Sequence, residues 1–399
     1  MRFNNTSWKN VTRRMIACGT GALMVASLMT PSVAFAAESI TVGDDAYYWV
    51  NAPEGGYSGT GSEGGTWTWS TATDLELNNY SGESINVDGD LTVTYEGTNN
   101  VGSTESYGGI NANQIREEAG DLTLKANGDA TLNTEGAAGI SSEGSLAIEG
   151  GTVTAKSEKG FGIRTGGDLT VSDANVTVNA NNENGNYAIG IGVGGSSLSV
   201  TNSKVNVSAK SEKVAFGVYM SNENDEDAKD STVLIKDSTL DIVASSVSGK
   251  LSMGFAAYSE YGNTNVTFDA SDVNIKAERA ALYAYGLDAS IALNDAKYTT
   301  PENATTFSFD IDDVHKIVAV GSQGATNPDD MAPEVVIEST KKDETGPEDE
   351  AEVTPASYTK GGEKKLAQTG DASPAGMFAA AAAGVTALGA GVFLSRRRS

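Results

Sequence analysis

The chain has 399 residues, among them 46 Gly, 8 Pro and a single Cys, and its 53 Asp and Glu against 27 Lys and Arg give a formal net charge of −26. That length leaves room for two or three domains, and so acidic a balance repels nucleic-acid phosphates and speaks against DNA or RNA as partners. With Cys18 the only thiol, the fold must be held by core packing rather than by disulfides.

Residues 1–36 read as an export signal. Lys9, Arg13 and Arg14 form a basic region, "MIACGTGALMVASLM" an apolar stretch, and Ala34-Phe35-Ala36 a small-residue cleavage site that would remove Cys18. Residues 37–79 hold "YYWV" and "TWTWS". They read as an N-terminal β cap, because the open end of a stack of strands is an aggregating edge.

From residue 80 to 298 one pattern recurs. "LAIEGGTVTAKS" from Leu146, "LTVSDANVTVNA" from Leu169, "LSVTNSKVNVSA" from Leu198, "VLIKDSTLDIVA" from Val233 and "VTFDASDVNIKA" from Val266 share it. Each has two apolar residues spaced by two, then a second such pair beginning seven residues after the first. Period-two alternation means strand, and the polar triplet between the pairs suits a tight turn. A further strand precedes each unit, at Gly162-Ile163, Gly190-Ile191, Gly217-Val218 and Gly254-Phe255. Gly109-Ile110, Gly139-Ile140 and Ala281-Leu282 extend the series, with starts 23 to 37 residues apart.

Three short strands per unit predict an all-β fold, a right-handed parallel β-helix of about seven to eight rungs. Val153, Val176, Val205, Leu240 and Val273 should form one interior stack, and Ala155, Val178, Val207, Ile242 and Ile275 the next. An antiparallel sandwich is the rival, but the unvarying seven-residue offset argues against it. The tetrapeptide Gly-Asp-Leu-Thr at Gly89, Gly120 and Gly167 marks the same register.

Residues 299–337, with Pro301, Pro328 and Pro333, should close the other end, and 338–365 should be a disordered acidic linker. Residues 366–399 follow a different logic: "LAQTG", an uncharged stretch from Ala375 to Leu394, then Arg396, Arg397 and Arg398. Twenty helical residues at about 1.5 Å each would cross a bilayer and leave the arginines inside. This order resembles the cell-wall sorting signal of Gram-positive surface proteins, with Leu366, Ala367, Gln368, Thr369 and Gly370 as the LPxTG-type pentapeptide. Ala367 stands where proline is commoner, as in variants of high-GC Gram-positive bacteria. The resemblance implies two partners: a sortase cutting between Thr369 and Gly370, and the peptidoglycan to which it joins the protein. It also implies an exported, wall-anchored protein whose precursor is held transiently in the membrane.

The run "TWTWSTATDLELNNYSGESINVDGDLTVTYEGTNNV" and the repeats after it resemble secreted and wall-anchored carbohydrate-binding β-helix domains, similar in fold to pectate lyases. Over roughly residues 60–300 the resemblance implies a polysaccharide or glycan ligand.

Catalytic chemistry is sparse. The one histidine, His315, has Asp310, Asp312 and Asp313 nearby but no flanking glycine, and no Gly-x-Ser-x-Gly elbow is present. Between the export signal and the sorting signal, arginine is confined to Arg116, Arg164 and Arg279. Calcium is the one cofactor the sequence suggests, at Asp225, Glu226, Asp227 and Asp230 in "NENDEDAKD", against a simple solvated acidic loop. On the third strand of each unit, Tyr219, Tyr258, Tyr283 and Tyr285 should point outward from neighbouring rungs, with Tyr261 close by. They could stack on successive sugars or simply stabilise exposed strands. The expectation is therefore a non-catalytic carbohydrate-binding or adhesive module and not an enzyme. The alternatives are a calcium-dependent polysaccharide lyase or hydrolase, and a structural or protein-binding surface component.

Overall fold

The computed structural model describes residues 36–102, 108–113, 119–222, 230–247 and 251–341. Thirty strands join in one hydrogen-bonded sheet, and among the described residues the only helical elements are two 3-10 turns, Trp49–Asn51 and Pro328–Asp330.

The strands stack in three parallel ladders. The first runs Asp74–Gly82, Leu91–Glu96, Leu122–Ala126, Leu146–Glu149, Leu169–Ser172, Ser197–Thr201, Ser231–Lys236, Thr264–Asp269 and Ala289–Asn294. The second starts at Thr98–Gly102 and takes in the first halves of Thr131–Ser142 and Thr152–Thr165. It continues through Asn175–Asn182, Lys204–Ser211, Thr239–Ser246 and Asp272–Lys276. The third starts at Ile85–Asp88 and Gly108–Asn113, uses the second halves of the same two long strands, and ends through Tyr187–Val193, Val214–Asn222, Leu251–Ser259 and Ala280–Gly286.

Register follows the interior stacks. Val153, Val176, Val205, Leu240 and Val273 are direct partners, as are Ala155, Val178, Val207, Ile242 and Ile275, and all are buried. A slip of one residue would turn each stack to solvent, so burial itself sets the pairing. The polar triplets earn their composition locally. Asp173, Asn202, Asp237, Ala270 and Asp295 adopt positive φ of 47° to 54°, where asparagine and aspartate are better tolerated than alanine. Next to them runs a serine ladder: Ser203 Oγ accepts from Ala174 N, Ser238 Oγ from Ser203 N, and Ser271 Oγ from Ser238 N, each at 3.1 Å.

The glycine series has a steric cause. A Cβ on Gly162, Gly190, Gly217 or Gly254 would lie 2.1–2.2 Å from a side-chain methyl of Val178, Val207, Ile242 or Ile275 respectively. The third ladder presses its backbone against the second ladder's interior side chains, and only glycine fits. On either side of the glycine the chain alternates between two cores. Ile163, Ile191, Val218, Phe255 and Leu282 enter the main one, whereas Phe216, Tyr219, Met253, Ala256 and Tyr283 belong to a second apolar cluster on the outer face.

The ends are antiparallel. Ser39–Val42 pairs with Ile85–Asp88 and with Asp45–Tyr48, while Gly64–Thr71 lies between Tyr57–Thr60 and Asp74–Gly82. Tyr47, Trp49, Tyr57, Trp67 and Trp69 gather there with ring centroids 5.0–6.0 Å apart. At the other end Ala296–Thr300 and Thr305–Asp310 run on, and the chain then doubles back. Lys316–Gly321 inserts between Ala280–Gly286 and Thr305–Asp310, and Glu334–Ser339 between Asp272–Lys276 and Ala296–Thr300. That last strand carries past the linker boundary expected at residue 338, because Val335 and Ile337 are fully buried.

Candidate binding surface

The repeated Gly-Asp-Leu-Thr motif does structural work. Asp90 Oδ1 accepts from Asp121 N at 2.9 Å, Asp121 Oδ1 from Ser145 N at 2.6 Å, and Asp168 Oδ1 from Ser197 N at 2.9 Å. Ser145 Oγ bridges the remaining step by accepting from Asp168 N at 3.3 Å. Each carboxylate therefore satisfies a turn N–H of the next strand layer. Burial, with Asp90 and Asp168 on either side, raises the pKa of Asp121.

The tyrosine face is not the open platform expected from the sequence. Tyr219 and Tyr283 do point away from the main core, but they are only 6% and 7% exposed. The second apolar cluster, which includes Phe307, Ile317, Ala319 and Met331 from the closing segment, surrounds them. Burial raises the pKa of the Tyr283 hydroxyl. Tyr258 and Tyr285 are register partners stacked at 4.3 Å and 6°, and His315 covers the next position at 5.2 Å and 16° from Tyr285. The faces of Tyr285 are thus taken by protein rings, which leaves its edge rather than its face for any sugar. Tyr261, 40% exposed, lies outside this stack.

His315 is engaged on both nitrogens. Nε2 lies 3.0 Å from the Glu260 carbonyl, and Nδ1 lies 2.9 and 2.8 Å from the two Asp312 carboxylate oxygens. Both ring nitrogens thus face acceptor oxygens while the ring lies over Tyr285. The His315 hydrogen bond, helped by the N–H groups of Val314 and His315, holds the Asp312 carboxyl down to about 2. The arrangement is a clasp tying the closing hairpin to the third ladder. Arg164 pairs with Glu143 at 3.0 Å and Arg279 with Asp329 at 3.2 Å. Of the acidic loop, Asp225, Glu226 and Asp227 lie outside the described residues, as does Arg116. The Asp230 carboxylate accepts from Asn263 N at 2.9 Å. The signal residues 1–35 and the segment 342–399, with Leu366 to Gly370, also lie outside.

A different surface emerges from the register of the second ladder. Asn100, Asn133, Thr154, Thr177, Asn206 and Asp241 are successive partners on its outer face, ending at Asn274. All are half-buried or exposed. Asn133 Nδ2 donates to Asn100 Oδ1 at 3.0 Å, and Asn274 Nδ2 to Asp241 Oδ1 at 3.2 Å, so these amides are oriented along the column. Hydrogen-bonding groups thus recur at the strand spacing of about 4.8 Å. Sequence reading overlooked this column because amides and hydroxyls on a strand's outer face look like ordinary solvation. The signal was the residue between the two stack positions of each unit, for instance Thr154 between Val153 and Ala155.

Comparison of the chain with protein families, with curated proteins and with solved structures gives no match.

Proposed function

We propose that this chain is an exported, wall-anchored surface protein whose described region is a right-handed parallel β-helix of about eight turns, acting as a non-catalytic carbohydrate-binding module. The sorting-signal resemblance of residues 366–399 supports the anchoring. The observation that carries the binding function is the outer column of the second ladder. It offers an unbroken line of amide, hydroxyl and carboxylate groups at about 4.8 Å, near the length of one sugar ring. An extended polysaccharide lying across the strands would meet one donor–acceptor group per residue, and several weak polar contacts in series give useful avidity.

The test uses the full chain on a panel of neutral and uronic-acid polysaccharides, with calcium and with chelator, reading retention and new sugar ends in the same wells. Saturable retention without new ends is expected. It should fall about a hundredfold in a folded Asn133→Ala/Thr177→Ala/Asn206→Ala variant, at roughly 1 kcal/mol per lost hydrogen bond. It should persist in Tyr258→Ala/Tyr285→Ala. Undiminished retention in the folded triple variant would reject the column, and new reducing or unsaturated ends would establish an enzyme instead.

A further inference from the structure

The doubling-back of the chain closes two ladders and leaves the first open. Lys316–Gly321 lies on the last strand of the third ladder and Glu334–Ser339 on that of the second, whereas among the described residues no strand pairs with the outer edge of Ala289–Asn294. Asp288 and Asn294 turn their carbonyls toward the preceding strand, accepting from Thr264 N at 2.8 Å and Ala270 N at 2.9 Å. Peptide groups alternate sides along a strand, so the N–H and C=O of Ile291 and Leu293 face the open edge. These two residues also continue the interior columns of Val266 and Phe268, both fully buried, yet are themselves only half-buried.

The open place is one strand wide. Ala296–Thr300 and Thr305–Asp310 stand beside it in the other two ladders, each one strand further out than Ala289–Asn294. Tyr298, opposite the buried Ile337, turns inward at this outer level, and its hydroxyl is buried with no hydrogen-bond partner among the described residues. Edge strands are usually blunted by proline, lysine or a bulge, but "ASIALN" has neither proline nor charge. We infer that this edge accepts an extended polypeptide strand from a partner protein, with apolar residues at alternate positions and basic residues at its ends.

The shape and charge of the place select that occupant. A second copy approaching with its own edge would meet the two flanking outer strands before its backbone reached Ile291. The chain's own continuation leaves beside the edge, where Thr340 N donates to Asp295 O at 2.7 Å. Its next residues, "KDETGPEDE", carry five acids and a Gly-Pro pair and no apolar alternation. Asp288 and Asp295 bracket the strand, so lysine or arginine at the peptide ends complements the site. An added strand would cover Ile291 and Leu293, complete the ladder and bring backbone carbonyls to the level of Tyr298. This is strand addition, in which main-chain bonds give affinity and alternate side chains give selectivity. It would make the molecule a protein-binding component independently of any glycan it holds.

The probe is the synthetic peptide KVTVTVK added to the full chain, read by titration and by amide exchange at Ile291 and Leu293. In the chain alone these two amides should exchange rapidly, and saturating peptide should slow them about tenfold or more. Ile291→Pro removes an edge donor without touching a ladder bond and should weaken binding about tenfold. Asp288→Asn/Asp295→Asn keeps the turn geometry, so it should weaken the lysine-ended peptide while leaving a threonine-ended analogue unchanged. Three results would overturn the inference. One is protection of the two amides in the chain alone. Another is a concentration-dependent dimer protecting the same amides. The third is peptide binding indifferent to both variants.

Discussion

Adding one methyl group at Gly217 tests the steric account of the glycine series. In Gly217→Ala the new Cβ would lie 2.1 Å from Ile242 Cγ2 and 2.6 Å from the Gly254 carbonyl oxygen. Neither can yield cheaply: Ile242 is fully buried, and the carbonyl belongs to the adjoining ladder strand. Overpacking of this kind costs about 1–3 kcal/mol, and contact with backbone as well as side chain places the variant near the upper figure. At roughly 2 °C per kcal/mol for a chain of this size, the melting temperature should fall by about 4–6 °C. The assay is thermal melting followed by circular dichroism, with a double-mutant cycle against Ile242→Ala. That second substitution alone should cost about 2–5 kcal/mol through the cavity it opens. Since each change relieves the other, the double variant should be at least about 1 kcal/mol more stable than the sum of the singles predicts. A Gly217→Ala protein within about 0.5 kcal/mol of the parent, or strictly additive singles, would show that the corner has room and that the glycines serve another purpose.

Other outcomes follow from the same contacts. Among the described residues Ala270 is the one alanine with positive φ, at 47°. Ala270→Asn should raise stability by about 0.5–1 kcal/mol, measured as a higher denaturant midpoint, and Asn202→Ala should lower it. Ser238→Ala would strip the Ser203 N–H of its acceptor inside the serine ladder, costing about 1–3 kcal/mol in the same assay. Asp312 has a folded pKa of about 2, below the ordinary 3.8. Its contribution is therefore complete above the ordinary carboxylate range and is lost as pH falls from about 4 to about 2. The difference in melting temperature between the parent and Asp312→Asn should close across that window. A gap that stays constant down to pH 2 would mean that the carboxylate does not hold His315.

How far the sequence could be read depended on the range of the forces concerned. The stacks from Val153 to Val273 and from Ala155 to Ile275 were legible because period-two alternation and a constant seven-residue offset are local, and burial of one face leaves a single register. The Gly-Ile pairs were legible as part of a further strand but not as interior to it, since those strands begin earlier, at Tyr187, Val214 and Leu251. Nor were they legible as the corner where Ile242 and Ile275 press on the backbone. That contact joins residues from different ladders. The tyrosine column shows the limit most clearly. Alternation correctly turned Tyr219 and Tyr283 away from the main core, yet outward from one core proved to be inward to another. The strands that complete the second cluster lie beyond residue 304, and nothing near Tyr219 announces them.

By itself, then, the sequence determined the all-β class, the strands of each unit, their interior faces and the turn residues between them, since each depends on alternation and on backbone freedom within about a dozen residues. Tertiary structure alone decided three things: which outward side chains are covered, that Asp90, Asp121 and Asp168 cap backbone N–H groups, and that the chain doubles back beyond residue 310 to close two ladders, leaving Ala289–Asn294 as an edge among the described residues. Those outcomes depend on what packs against a strand from far along the chain, and a residue's own neighbours carry no record of it.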